Sequence, residues 1–155
     1  MKPNFILRPA ELKDMKSVFD LSNDPIVRRN SINTVSIPWE QHVKWFIAAL
    51  EDASLIFLVV ESVSGEFMGQ VRFKKDVCQW VVSISIAAEF RGKGLGSEIL
   101  LRAMKGADVQ RVRAYIKQDN MASRKLFERS GFSKSDDVSS HGDGLVCMDW
   151  VKHDI

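Results

Sequence analysis

The residues best placed to do chemistry lie in one short run, Arg91-Gly92-Lys93-Gly94-Leu95-Gly96. An apolar, β-branched stretch leads into it (Trp80, Val81, Val82, Ile84, Ile86), and a helical pattern from Ser97 to Lys105, closed by Gly106, follows it. The first turn of a helix carries backbone N–H groups with no internal partner, and the positive end of the helix dipole adds to them. Glycines admit an anion close to that backbone, so strand, loop and helix together make a phosphate cradle. Spacing narrows the kind. A P-loop requires four residues between its first glycine and a Gly-Lys-Ser/Thr end, which this loop lacks. A dinucleotide fingerprint requires a third glycine where Ser97 stands, counting from Gly92, and an acid about 20 residues further on. What remains is Arg-x-x-Gly-x-Gly at Arg91, Gly94 and Gly96. An ordinary glycine turn ahead of a core helix reads the same way in isolation, so the surroundings decide.

Other reactive side chains are few. The chain has 1 tyrosine, Tyr115, in a strand-like run. Ser83 and Ser85 share one face of the strand that enters the loop, opposite Ile84 and Ile86. His42 has the intrinsic pKa best suited to a general base, although an exposed helical histidine is the plainer reading. Arg28, Arg29 and Arg72 are candidate anion contacts, with surface charge as the alternative. The 2 cysteines, Cys78 and Cys147, have no metal-ligand companion at useful spacing and read as small core residues. No disulfide framework follows from them, and a reducing cytoplasm is the expected compartment.

The elements that must hold these groups follow the hydrophobic pattern. Phe5 to Arg8 reads as a first strand, ended by Pro9, and Leu12, Met15, Val18, Phe19 and Ser22 keep a helical rhythm that Asn23-Asp24-Pro25 stops. Ile26 to Asn33 has no sustained period and reads as a loop or a short helical turn. Trp39, Val43, Phe46, Ile47 and Leu50 form the apolar face of the next helix. Leu55 to Glu61 and Phe67 to Phe73 are strands joined by a Ser62–Glu66 hairpin turn, and Lys74-Lys75-Asp76 turns the chain into the strand before the loop. Val109 to Ile116 is a strand, Met121 to Arg129 a helix capped at Ser130-Gly131-Phe132, Ser133 to Gly144 a polar loop, and Leu145 to Val151 the last strand.

Length and composition fit one globular domain over residues 1–155, with 45% apolar and 27% charged residues. Met1 to Ala10 does not read as a signal-peptide core, and no apolar run approaches the length of a membrane span. The net charge of +2 is unevenly spread. Residues 91–134 hold 11 Lys/Arg against 4 Asp/Glu, leaving 11 against 16 elsewhere. A basic segment around a phosphate loop points to a polyanionic ligand. Without interleaved aromatics, a compact polyphosphate suits it better than nucleic acid.

A second motif completes the pattern: Asn120-x-x-Ser123-x-x-Leu126-Phe127-x-x-x-Gly131-Phe132. In these two motifs and the order of its elements the chain resembles the GNAT superfamily of acyl-CoA-dependent N-acetyltransferases. The resemblance implies an α+β fold, a mixed, mostly antiparallel sheet of six to seven strands with four helices. It implies acetyl-CoA as cosubstrate and no metal. The amides of Gly92, Lys93, Gly94, Leu95, Gly96 and Ser97 would hold the pyrophosphate, with Arg91 supporting the loop. Backbone from Ile86 to Ala88 would pair with the pantetheine like an added strand, and Asn120, Ser123 and Phe127 would line the sulfur end. Two positions depart from the family. Phe127 stands where a tyrosine often serves as general acid, and Trp80 where relatives carry a glutamate. Tyr115, Ser85 and His42 are the candidates to replace those functions.

The stretch Leu21-x-Asn23-Asp24-Pro25-x-Val27-Arg28-x-Asn30-Ser31, with Ile37-x-Trp39-Glu40-x-His42-x-x-Trp45-Phe46, is similar to amino-sugar N-acetyltransferases that act on UDP-linked 4-amino sugars. That similarity implies a small amine acceptor, nucleotide-linked, met by Arg28, Asn30, Trp45 and Arg72. A peptide or small-amine acetyltransferase and a non-catalytic CoA-binding module are the alternatives. A monomer or homodimer is expected, with neither nucleic acid nor membrane as partner.

Overall fold

Three hairpin-joined strands and a helical crossover set the topology. The structure, a computed structural model, describes residues 4–135 and 144–153. Its seven-stranded sheet has the order β1-β2-β3-β4-β5-β7-β6. Strands β1 (Phe5–Pro9), β2 (Leu55–Ser62), β3 (Phe67–Asp76) and β4 (Gln79–Ile86) form an antiparallel meander. The chain then crosses over through helix α4 (Leu95–Ala107), and β5 (Arg111–Lys117) joins β4 in parallel. Helix α5 (Met121–Arg129) follows, then β6 (Ser133–Lys134) and β7 (Leu145–Val151), antiparallel to β6 and β5. Helices α1 (Met15–Ser22), α2 (Pro25–Arg29) and α3 (Trp39–Glu51) come between β1 and β2.

The period-2 alternation of the strands sorts two apolar layers. On one face, Val71, Phe73, Val82, Val112, Ala114 and Ile116 pack against Leu95, Ile99, Leu100 and Met104 of α4 and Phe127 of α5. On the other, Phe57 packs with Val18 of α1 and with Phe46 and Ala49 of α3. Each fully buried Phe or Leu contributes about 2 kcal/mol relative to exposure, so both layers are needed to hold the helices to the sheet.

The mixed sheet is as expected; the helices number five among the described residues, because Ile26–Arg29 joins Pro25 in a short helix. Asp24 caps it, its Oδ1 accepting from Ile26 N at 2.9 Å, and Pro25 sits at the tolerated first position. Strand β3 runs through Lys74, Lys75 and Asp76, where a turn was expected, since β4 pairs with them as far as Gln79. Cys78 therefore lies in the hairpin turn and is exposed; Cys147 alone is buried. Helix α4 starts two residues earlier than the pattern suggested and passes through Gly106. Its end is set by Asp108, left-handed at φ 53°, which Asp tolerates better than most side chains. The buried stripe of α3 is His42, Phe46 and Ala49, while Trp39 and Ile47 of the expected face are 43% and 46% exposed. Most of the polar loop before β7, His141 included, lies outside the described residues.

Gly69 controls how closely β3 approaches the end of β4. A Cβ there would stand 2.4 Å from the Ser85 carbonyl oxygen, a backbone atom that cannot turn aside. Gly69→Ala should cost about 2 kcal/mol, as overpacking does. Urea unfolding measures it; an unchanged midpoint would show that the two strands can separate there freely.

Candidate active site

The site begins where two strands part. β4 and β5 are in register at Trp80↔Val112 and Val81↔Arg113, and among the described residues nowhere beyond. From Val82 to Ile86, β4 is held by β3 on one side while its other edge faces the gap. Backbone N–H and C=O groups on such an edge seek an outside partner. At the mouth of the gap one is already used: Arg91 Nε donates to the Ile86 carbonyl at 2.8 Å, while the Ala87 N–H turns the other way and donates to the Met68 carbonyl of β3 at 2.8 Å. Ala88 already begins a 3-10 turn, Ala88–Phe90. Extended backbone is thus offered up to Ile86 and Ala87, one residue short of the expected stretch.

The loop then turns twice through left-handed backbone, at Gly92 (φ 74°) and Gly94 (φ 72°), which glycine alone adopts without strain. Gly94 is the N-cap of α4, so no side chain occupies the first-turn amides, Leu95 to Ser97. Lys93 and both these glycines are exposed; Leu95 is buried and anchors the turn. Gly96 has a different task. A Cβ on it would lie 2.3 Å from Leu126 Cδ1, so its absence lets α5 lie close against α4. Ser130 Oγ, 3.0 Å from Ser97 Oγ and 2.8 Å from the Leu126 carbonyl, joins the helices again. The second motif therefore braces the first.

Asn120 caps α5 by accepting from Ser123 N at 3.2 Å, and its Nδ2 donates to Ser123 Oγ at 3.0 Å. Both stay partly exposed. Phe127 is 5% exposed and packs edge-on against Phe132, ring centres 5.0 Å apart. It stands in the core, with its ring turned to packing.

The sheet face opposite α4 and α5 carries the polar candidates. Arg72 and Gln70 of β3 stand in register with Ser83 and Ser85 of β4 on that face. The Arg72 guanidinium lies over the Trp45 ring at 4.8 Å, and its Nε is buried without a partner. Burial, reinforced by the Arg28 cation, pushes its pKa down to about 10. Across the gap, Tyr115 stands beyond the last β4–β5 pair, two residues along β5 from Arg113. Asp149 grips the Arg113 guanidinium at 2.8 and 3.0 Å and, as the largest cause, raises its pKa. Ser85, Arg72, Trp45 and Tyr115 are thus brought to one face.

Two expected residues are committed elsewhere. His42 is 2% exposed, ringed by Phe19, Trp39, Trp45 and Phe46, and its Nε2 lies 2.8 Å from the Met15 carbonyl. A carbonyl only accepts, so Nε2 carries the proton, and burial pushes the ring pKa down. It is a core histidine, neither exposed nor placed as a base. Arg28 gives its guanidinium to the carbonyls of Ser22, Asn33 and Val35 and to Ser31 Oγ, holding the loop between α2 and α3. Asn30 ends α2, which Lys117 ties to β5 through the Arg29 carbonyl at 2.7 Å.

The sequence from residue 4 to residue 133 matches the family model "Acetyltransferase (GNAT) domain". YwnH of Bacillus subtilis strain 168, described as a phosphinothricin acetyltransferase, is 31% identical over 141 residues, 83% of each chain being covered. Among solved structures, the Vibrio cholerae spermidine N-acetyltransferase bound to CoA and spermine superposes with a TM-score of 0.82 at 18% identity, covering 95% of both chains. A structure described as a phosphinothricin N-acetyltransferase superposes at 0.77 with 25% identity, covering 97% of this chain and all 100% of the other.

Asp24 links the two halves of the site. It caps α2 and also lies 3.2 Å from Arg91 Nη2, an ion pair rather than an aligned hydrogen bond. Burial works to raise its pKa, but the amides of Val27 and Ile26 and the Arg91 cation outweigh it and hold the carboxylate below its ordinary range. An unfolded Asp takes up its proton near pH 3.9, while the folded one resists, so the contribution is complete above that value and lost as pH falls through the lower, folded one. Asp24→Ala should cost about 1 kcal/mol above roughly pH 5, with the deficit shrinking in more acid solution. Urea unfolding of both proteins across pH checks this; a deficit independent of pH would show that charge plays no part.

Proposed function

The chain belongs to the GNAT acetyltransferase family, and we propose that it moves the acetyl group of acetyl-CoA to the primary amine of a small acceptor bearing an anionic group. The cofactor half rests on fit. Gly92 leaves open backbone, Gly94 is exposed, the first turn of α4 has no side-chain cap, and the free edge of β4 leads to it. The Leu95–Ser97 amides would hold the pyrophosphate and the β4 edge the pantetheine. Acetyl-CoA supplies an acetyl thioester. The acceptor amine must lose a proton as its nitrogen forms the amide bond and the carbon–sulfur bond breaks. Ser85 and water on its face would relay that proton. Tyr115, beyond the last β4–β5 pair, is the hydroxyl beside the gap and would give one to the departing thiolate. A thiol pKa of about 8.5 makes departure without an acid tolerable as well.

The observation that carries the acceptor reading is Arg72. A half-buried guanidinium stacked on Trp45, with a buried Nε lacking a partner and no ion pair among the described residues, favours an incoming anion. It disfavours a polycation such as spermidine. Within anionic amines, the likeness of residues 21–46 to amino-sugar acetyltransferases supports a nucleotide-linked amino sugar. Arg28, spent on its own loop, leaves the diphosphate to Arg72. The name of the Bacillus relative supports a second reading, an amino-acid-like acceptor such as phosphinothricin.

Turnover of acetyl-CoA with a UDP-4-amino sugar, phosphinothricin, spermidine and a peptide separates these. The anionic small amines should exceed spermidine in kcat/KM by about tenfold or more, and Arg72→Met should raise the acceptor's KM by about tenfold with kcat nearly intact. Preference for spermidine or the peptide sinks the acceptor half. Separately, Gly94→Glu places a carboxylate at the cradle and should abolish CoA binding in calorimetry; unchanged affinity would refute the cofactor half.

A further inference from the structure

Gln70 is the polar side chain that the reading so far leaves without a task. It is 2% exposed in a strand whose neighbours Gly69 and Val71 are also buried, and its Oε1 is buried with no hydrogen-bond partner. Buried carboxamides are nearly always satisfied, because an apolar residue of the same size packs there without leaving an oxygen unpaired. The orphan is placed tellingly. Gln70 sits in register with Val59 on one side and Ser85 on the other, and shares the polar face with Arg72 two residues on. Directly opposite residues on neighbouring strands have Cβ atoms about 5 Å apart, so Gln70 is one strand in from the free edge of β4.

We propose that Gln70 Oε1 receives an N–H of the acceptor's amine and so aims its nitrogen at the β4 edge. This rests on reading that face as the acceptor side. A carboxamide oxygen accepts and never takes up the proton, so Gln70 is a binding residue that orients the amine rather than its base. It distinguishes a primary amine, which keeps an N–H to give while its lone pair attacks, from an acceptor without one. Arg72 and Gln70 then divide the recognition: the cation meets the acceptor's anion, and the lone oxygen meets its amine.

Gln70→Met keeps the length of the side chain and removes the oxygen. The variant is assayed with whichever of the UDP-4-amino sugar, phosphinothricin and spermidine the wild type turns over fastest, so its outcome does not depend on the acceptor's charge. A loss of about tenfold or more in kcat/KM for that amine is expected, with the KM of acetyl-CoA within about twofold of wild type. The free protein should be as stable as wild type or more so, because an unpaired buried oxygen has been removed. Gln70→Asn, which draws the oxygen back by one methylene, should show the same acceptor defect. Unchanged kcat/KM in both variants overturns the proposal. A lower Tm in Gln70→Met combined with an equal loss toward acetyl-CoA also overturns it, since that marks a structural role. Should wild type prefer spermidine, the anionic-acceptor reading fails while this test of Gln70 still stands.

Discussion

β4 leaves β5 after two residue pairs, and the rest of the molecule is arranged around that parting. An interior strand with an unpaired edge is costly, because each N–H or C=O on it needs a partner. Three features keep the gap open rather than letting it close or collapse. β3 holds β4 along its whole length. Arg91 takes the Ile86 carbonyl at the mouth. On the far side, β7 pairs with every residue of β5 from Arg111 to Lys117, so β5 has no freedom to follow β4. The free edge runs into a glycine loop and the uncapped first turn of α4, so unpaired backbone donors follow one another along one line. An elongated ligand with an amide-bearing arm and a polyphosphate suits that line.

The two motifs do different physical work. Gly92 and Gly94 supply left-handed turns, but Gly96 is there for contact: it makes room for Leu126. Asp24 and Arg91 fasten the start of α2 to the glycine loop, so the two segments share one anchor. Two cations on one sheet face are treated differently: Arg72 keeps a buried Nε without a partner, while Asp149 satisfies Arg113.

Local rules made much of this legible. Period-2 runs with turn residues between them marked the strands, and the glycine spacing marked the loop. Properties set by tertiary packing were hidden. His42 looks like a solvent-facing residue until Trp39, Trp45 and Phe46 are folded round it and α1 offers the Met15 carbonyl. Arg28 looks like a ligand contact because sequence does not show which carbonyls a loop brings to it. Gly106 resembles a helix cap, yet the crossover needs another turn and Asp108 ends it. Gln70 does carry a signal in the sequence, a carboxamide between Gly69 and Val71 in an apolar strand, but only the fold shows it buried. The face proposed for the acceptor stayed least legible, since Arg72, Trp45, Ser85 and Tyr115 come to it from separate elements.

Hydrogen exchange measures the free edge directly. Binding of CoA should slow exchange at the amides of residues 82–86 and 92–97, where backbone donors are proposed to meet pantetheine and pyrophosphate, and leave those of β1, β2 and β7 as they were. CoA that binds without protecting those two segments, or that protects another part of the sheet instead, would contradict the role assigned to the parting of β4 and β5.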